Sequence, residues 1–250
     1  MAETMRTVVY RPGRCQTAES IGQAVMTQMA ALGIQAAPLV LTFVGAGGKT
    51  TLLYALAQEL AGQGKTVLVV TTTHLYEPAH YGVFCADADI LAAALQKNKL
   101  VIAGCRNGKG KITFIGQEVY RRICPYADVV LVEGDGAKRH PFKICNATEP
   151  VIPDNTNLVF AVAGLTALGR PVGEVCFRYE LAGMAAQTIL TAERAAGLWA
   201  QYYLQPLCQQ GYAVLPVLHQ ADTDARRQEG IRLFASLGIS YGLVTTRLES

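Results

Sequence analysis

Residues 38–53 read Pro-Leu-Val-Leu-Thr-Phe-Val-Gly-Ala-Gly-Gly-Lys-Thr-Thr-Leu-Leu, and their order decides the fold. Apolar and β-branched residues run to Val44, a glycine turn follows, and a helix-forming stretch opens at Lys49 and continues to Gly62. Strand, glycine loop and helix in that order make a P-loop. Gly45, Gly47 and Gly48 lack Cβ atoms, so their N–H groups can curl around phosphate oxygens while the new helix aims its positive end at the same point. The candidate nucleotide-binding set is therefore Gly45, Ala46, Gly47, Gly48, Lys49, Thr50 and Thr51. Lys49 would reach the terminal phosphates and Thr50 would hold magnesium. The loop is short, because only Ala46 and Gly47 separate Gly45 from Gly48, where the common pattern has a longer insert. A glycine turn that binds nothing shares this composition, but the flanking strand and helix are the context that phosphate binding requires.

A second informative stretch spans Ala127 to Lys143. Val129 to Val132 lead straight into Glu133-Gly134-Asp135-Gly136, the form of a strand that ends in a magnesium-binding carboxylate. Glu133 and Asp135 are both candidate metal ligands with Thr50, and either can orient an attacking water, so Lys49, Glu133 and Asp135 form the candidate catalytic set. The sequence leaves the division of roles between the two carboxylates open. Lys138, Arg139 and Lys143 follow and suit an anionic substrate.

The strand expected over Lys65 to Thr72 runs into Thr71, Thr72, Thr73 and His74. Ligands bind beyond the carboxyl ends of strands in open parallel sheets, so Thr72, Thr73 and His74 are candidate substrate contacts; good strand residues and a loop histidine are the plainer reading. Strands and helices alternate through the rest of the chain, with a small hairpin turning at Asn107-Gly108, a strand over 158–164, a long helix over 191–210 and a late strand ending in His219-Gln220-Ala221-Asp222. This pattern predicts an α/β fold with a doubly wound, mainly parallel sheet of P-loop NTPase type. Residues 1–37 are expected to form an arm, irregular over 6–15, and a helix packed on a 38–250 nucleotide-binding domain.

Composition narrows the classes. With 51% hydrophobic and 16% charged residues the chain is not disordered, and a net charge of +3 over 250 residues offers no concentrated basic surface for nucleic acid. No apolar run reaches the roughly 20 residues of a membrane span, and the start does not read as a secretory signal, so the expected location is the cytoplasm. Seven scattered cysteines without a CxxC pair signal neither a disulfide framework nor zinc.

Taken together, VGAGGKTTLL, TTTHLYEP and VEGDGAKRHPFK followed by EPVIP resemble the YqeC family, accessory proteins of selenium-dependent molybdenum hydroxylases. The resemblance runs from about Leu41 to Asp222. It implies a cytoplasmic protein that binds ATP or GTP with Mg²⁺ and helps to mature a selenium-containing molybdenum cofactor, with the cofactor, a selenium species or the hydroxylase itself as partners. Family members end the late strand in Asn-Lys-x-Asp, whereas this chain has His219, Gln220, Ala221 and Asp222; Asp222 alone remains to read a guanine base. Glu133 to Gly136 is also similar to the Glu-x-x-Gly of metallochaperone GTPases, and the short loop to that of Mur-type ligases, whose extra domains this chain lacks. An NTPase, a phosphotransferase or nucleotide-activating enzyme acting on a cofactor or selenium species, and a nucleotide-gated cofactor chaperone are the three readings. Cys145, close to Lys143, is the thiol to test first for carrying selenium, and a buried structural thiol is the plainer reading.

Overall fold

The computed structural model describes residues 5–248; residues 1–4, the head of the stretch without a signal pattern, and 249–250 lie outside the described residues. The chain opens with a hairpin, β1 (Thr7–Arg11) and β2 (Arg14–Ala18), then α1 (Ile21–Ala31), capped by the Ser20 side chain. The quoted stretch becomes β3 (Leu39–Gly45) and α2 (Lys49–Gly62). Next come β4 (Val67–Thr71), β5 (His74–Tyr76), β6 (Gly82–Val83), the Asp87-capped α3 (Ala88–Asn98) and β7 (Leu100–Ala103). A small hairpin, β8 (Cys105–Arg106) and β9 (Lys111–Thr113), precedes α4 (Gln117–Ile123) and β10 (Val129–Glu133). The second half holds β11 (Phe142–Lys143), β12 (Leu158–Gly164), α5 (Val172–Val175), β13 (Cys176–Phe177), α6 (Ala192–Trp199), α7 (Gln205–Gln209), β14 (Val214–His219), α8 (Asp224–Ser236) and β15 (Gly242–Thr245).

Among the described residues the largest sheet has ten strands in the order β2-β1-β15-β14-β12-β3-β10-β4-β7-β6. From β15 to β6 every pairing is parallel; the β1–β2 hairpin adds on antiparallel to β15. β3 shows how the period of a strand divides its side chains between two layers. Leu39, Leu41 and Phe43 pack in one cluster with Ile21, Val25 and Met29 of α1 and Leu52, Leu53 and Leu56 of α2. On the other face Val40 joins the α3 and α4 side chains, and Val44 joins those of α6, α7 and α8. Helices therefore cover both faces, which is the doubly wound α/β arrangement. Burial of each such aliphatic side chain contributes about 1.5–3 kcal/mol.

Three elements differ from expectation. Residues 7–18 are a regular hairpin rather than an irregular arm, because Thr7 to Tyr10 find partners on β15 that lie far away in sequence. His74 to Tyr76 leave the main sheet and pair with β9, making a three-stranded sheet with the β8–β9 hairpin. The long helix is interrupted: a π-turn at Ala200–Leu204 links α6 to α7.

Candidate functional site

The glycine loop leaves β3 between β10 and β12 and enters α2 at Gly48, which has φ +114° and gives the helix no side-chain cap. The first-turn amides of a helix lack intrahelical acceptors. Here they open on a cleft of about 1060 Å³ to which Gly47, Gly48, Lys49, Thr50 and Thr51 contribute. The preceding amides face the protein instead. Gly45 N–H donates to both Asp135 oxygens at 3.1 Å, Ala46 N–H to the Val162 carbonyl at 2.9 Å, and Gly47 N–H to the His140 carbonyl at 3.2 Å. The amides of Gly45, Ala46 and Gly47, expected to face a ligand, are thus used inside the protein, and those of Gly48 to Thr51 are the ones at the open helix start.

The two carboxylates separate cleanly. Asp135 is fully buried and takes donors from Lys49 Nζ at 3.1 Å, Lys143 Nζ at 2.9 Å and the Tyr203 hydroxyl at 3.0 Å, besides Gly45. Burial alone would raise its pKa, but Lys49 and Lys143 hold it below the usual carboxylate range. With both oxygens taken by protein donors, Asp135 is an anchor beneath the loop, which corrects its assignment as a metal ligand. Glu133 lines the cleft and accepts from Thr50 Oγ1 at 2.9 Å. Its pKa is raised by burial, against the pull of Lys49 and the Thr50 hydrogen bond. Lys49 Nζ also donates to the Gly45 carbonyl at 2.6 Å.

Lys143, expected to contact substrate, lies beneath the cleft. Its ammonium bridges Asp135 and Glu149, the latter at 2.6 Å, and Glu149 accepts in turn from Arg178 at 2.6 Å. Thr72 and Thr73 also lie off the cleft lining: Thr72 Oγ1 donates to the Val151 carbonyl at 2.8 Å, and Thr73 Oγ1 is buried without a hydrogen-bond partner among the described residues. His74, Lys138 and Arg139 do line the cleft. At the end of β14, His219 is 1% exposed, its Nδ1 lies 2.8 Å from Thr245 Oγ1, and burial pushes its pKa down to about 4. Its ring backs Gly48. Asp222 is held by Arg247 through the backbone N–H at 2.8 Å and Nε at 2.7 Å, so the oxygens expected to read guanine are engaged. Cys145 donates to the Tyr202 carbonyl at 2.9 Å, and burial raises its pKa despite Lys143, which speaks against an activated thiol.

The family model of the YqeC protein matches residues 41–180, more than half of the chain. The chain belongs to the YqeC family. It is 37% identical over 147 residues to the uncharacterized protein YqeC of Escherichia coli (strain K12), an alignment that covers 56% of this chain and 57% of that protein. The chain thus spans little more than half the length of that relative. No solved structure matches. The YqeC match contains the glycine loop, Glu133, Asp135, Glu149 and Arg178, whereas Tyr203, His219 and Asp222 lie beyond it.

Tyr203 and Phe177 carry no site role in the sequence, and Tyr76 stands out there only as part of the polar stretch TTTHLYEP. Tyr203 falls within the helix expected over 191–210, and no local signal marks the π-turn that aims it at Asp135. The rings of Tyr76 and Phe177 take their place in the cleft from cations that are distant as well as near in sequence, Lys111 and Arg139 on Tyr76, Lys138 and Arg178 on Phe177.

Proposed function

We propose that the cleft binds a nucleoside triphosphate with Mg²⁺ and that this YqeC-family chain uses the nucleotide in maturing a molybdenum cofactor of selenium-dependent hydroxylases. The observation that carries the nucleotide part is the Thr50–Glu133 contact of 2.9 Å at the open first turn of α2. A hydroxyl and a carboxylate meet there beside amides that lack partners. Mg²⁺ is held typically by one or two protein oxygens together with substrate phosphates, and this donor set fits that habit. Bound there, the ion would neutralise charge on the transferred phosphoryl group. Thr50 and Glu133 would hold the metal, the amides of Gly48 to Thr51 would hold phosphate oxygens, and Lys49, now on the Gly45 carbonyl, would serve the terminal phosphate. Asp135 holds the Lys49 ammonium close, at 3.1 Å, beneath the loop. The acceptor part of the reading rests on the family resemblance, and ATP and GTP stay equal candidates because Asp222 is paired with Arg247.

The test is a titration with ATP and GTP, with and without Mg²⁺, followed by measurement of phosphate release. Tight Mg²⁺-dependent binding that Lys49→Ala abolishes supports the reading. Undiminished hydrolysis in Lys49→Ala would overturn it. The basic mouth of the cleft favours transfer to an acceptor as a second reading; a phosphorylated product in place of free phosphate would distinguish it.

A further inference from the structure

The cleft is larger and more basic than a nucleotide site requires. Its volume of about 1060 Å³ lies at the upper end of small-molecule sites. Six lysine or arginine side chains line it against two carboxylates, Glu133 and Glu149, although the whole chain has a net charge of only +3. Lys49 and Arg178 have carboxylate partners. Lys109, Lys111, Lys138 and Arg139 have none among the described residues, and the last three also pack on aromatic rings.

These three line the cleft from two segments, Lys111 from β9 and the adjacent Lys138 and Arg139 from the loop after β10. Lys111 of β9 and Arg139 of the loop after β10 both sit on the ring of Tyr76, at 4.8 and 4.7 Å from its centroid. The two charges therefore lie within about a Debye length of one another, where like charges repel. Lys138 sits on Phe177 at 4.9 Å, next to Arg178 at 4.7 Å on the same ring. Lys138 and Arg139 hold left-handed backbone conformations, φ +46° and +65°, which cost bulky residues free energy and gather where a site dictates the geometry. Rings that fix cations in place reduce the side-chain freedom lost when an anion arrives.

We propose that the mouth of the cleft, built by Tyr76, Lys111, Lys138 and Arg139, is a second anion site that takes the phosphate of a phosphomonoester acceptor while the glycine loop takes the nucleotide. The word acceptor rests on the function proposed above; the anion site stands on its own geometry. Its side chains are solvent-facing, and exchanging them leaves the buried ion pairs beneath the loop intact.

Phenyl phosphate and inorganic phosphate serve as probes in calorimetric titrations of the full chain. The expected result is phenyl phosphate binding that survives Lys49→Ala and weakens by about tenfold or more in the double variant Lys111→Gln/Arg139→Gln, as loss of charge-assisted hydrogen bonds predicts. Addition of ATP or GTP should leave the probe bound. Inorganic phosphate binding as tightly as the ester would assign the site to free phosphate and overturn the acceptor assignment. Probe binding that vanishes in Lys49→Ala, or that is unchanged in the double variant, would overturn the second site. Displacement of the probe by a much tighter short oligothymidylate would also overturn it, in favour of a nucleic-acid surface. If nucleotide fails to bind but the probe still depends on Lys111 and Arg139, the nucleotide reading falls and the anion site remains.

Discussion

The Tyr203 hydroxyl donates to Asp135 across 3.0 Å, and it does so from a π-turn that interrupts an otherwise regular helix pair. That turn places a phenol under the glycine loop, where Lys49 and Lys143 meet the same carboxylate. Three elements far apart in sequence are thereby tied to one buried charge. Tyr203→Phe should lower stability by about 1.5–3 kcal/mol, the value of a hydrogen bond to a charged group. Urea denaturation of the two proteins measures it, and an unchanged midpoint would mean that packing alone holds the turn.

Removing the anchor itself should cost more. Asp135→Ala leaves the buried Lys49 ammonium without its carboxylate partner and Lys143 with Glu149 alone, and breaking such a buried pair typically costs about 3–5 kcal/mol. Glu133→Gln behaves differently, because burial already disfavours the charged form of Glu133. It should keep the melting temperature at or above that of the parent while removing the Mg²⁺ dependence of nucleotide binding. Parallel thermal melts and titrations of Asp135→Ala and Glu133→Gln separate the anchor from the metal ligand. Equal destabilisation by both would contradict the division of roles.

Much of this arrangement was legible in the sequence because it depends on short-range order. The run of Leu39 to Lys49 gives a strand, turn and helix within a few residues, and the apolar run of Val129 to Val132 ending in Glu133 marks a buried strand in the same local way. What stayed hidden depends on pairing across the chain. Thr7 to Tyr10 become a strand because β15 offers them an edge, and Glu133 and Asp135 part company because Lys143 and Tyr203 capture one of them. The two residues look equivalent in the Glu-Gly-Asp-Gly string. Only their neighbours in space tell them apart. Likewise, His219 and Asp222 sit where a base reader was expected, yet Thr245 and Arg247 from the chain's end engage them.

His219 makes stability pH-dependent in a defined direction. Its pKa is about 4 in the fold, because burial penalises the imidazolium, against about 6.5 in an unfolded chain. Between those values the unfolded state binds more protons, so stability is complete above pH ~6.5 and declines as the pH falls towards ~4. The loss between pH 7 and pH 5 should be about 2 kcal/mol. His219→Gln should flatten that slope in urea titrations, and an unaltered slope would remove His219 as its source.

The same ring constrains the glycine loop. A Cβ on Gly48 would lie 2.3 Å from His219 Cδ2, and the residue already has φ +114°. Gly48→Ala therefore meets two separate obstacles, backbone strain of about 1–3 kcal/mol and a collision with a buried ring that has little room to retreat. His219→Ala removes the collision and leaves the strain. A double-mutant cycle should accordingly show Gly48→Ala to be less damaging in the His219→Ala background, with a coupling of about 0.5–3 kcal/mol between neighbours in contact. Backbone strain acting alone would give additive effects. The measured coupling thus tells whether Gly48 is required by its dihedral angle only, or also because β14 brings His219 against the start of α2.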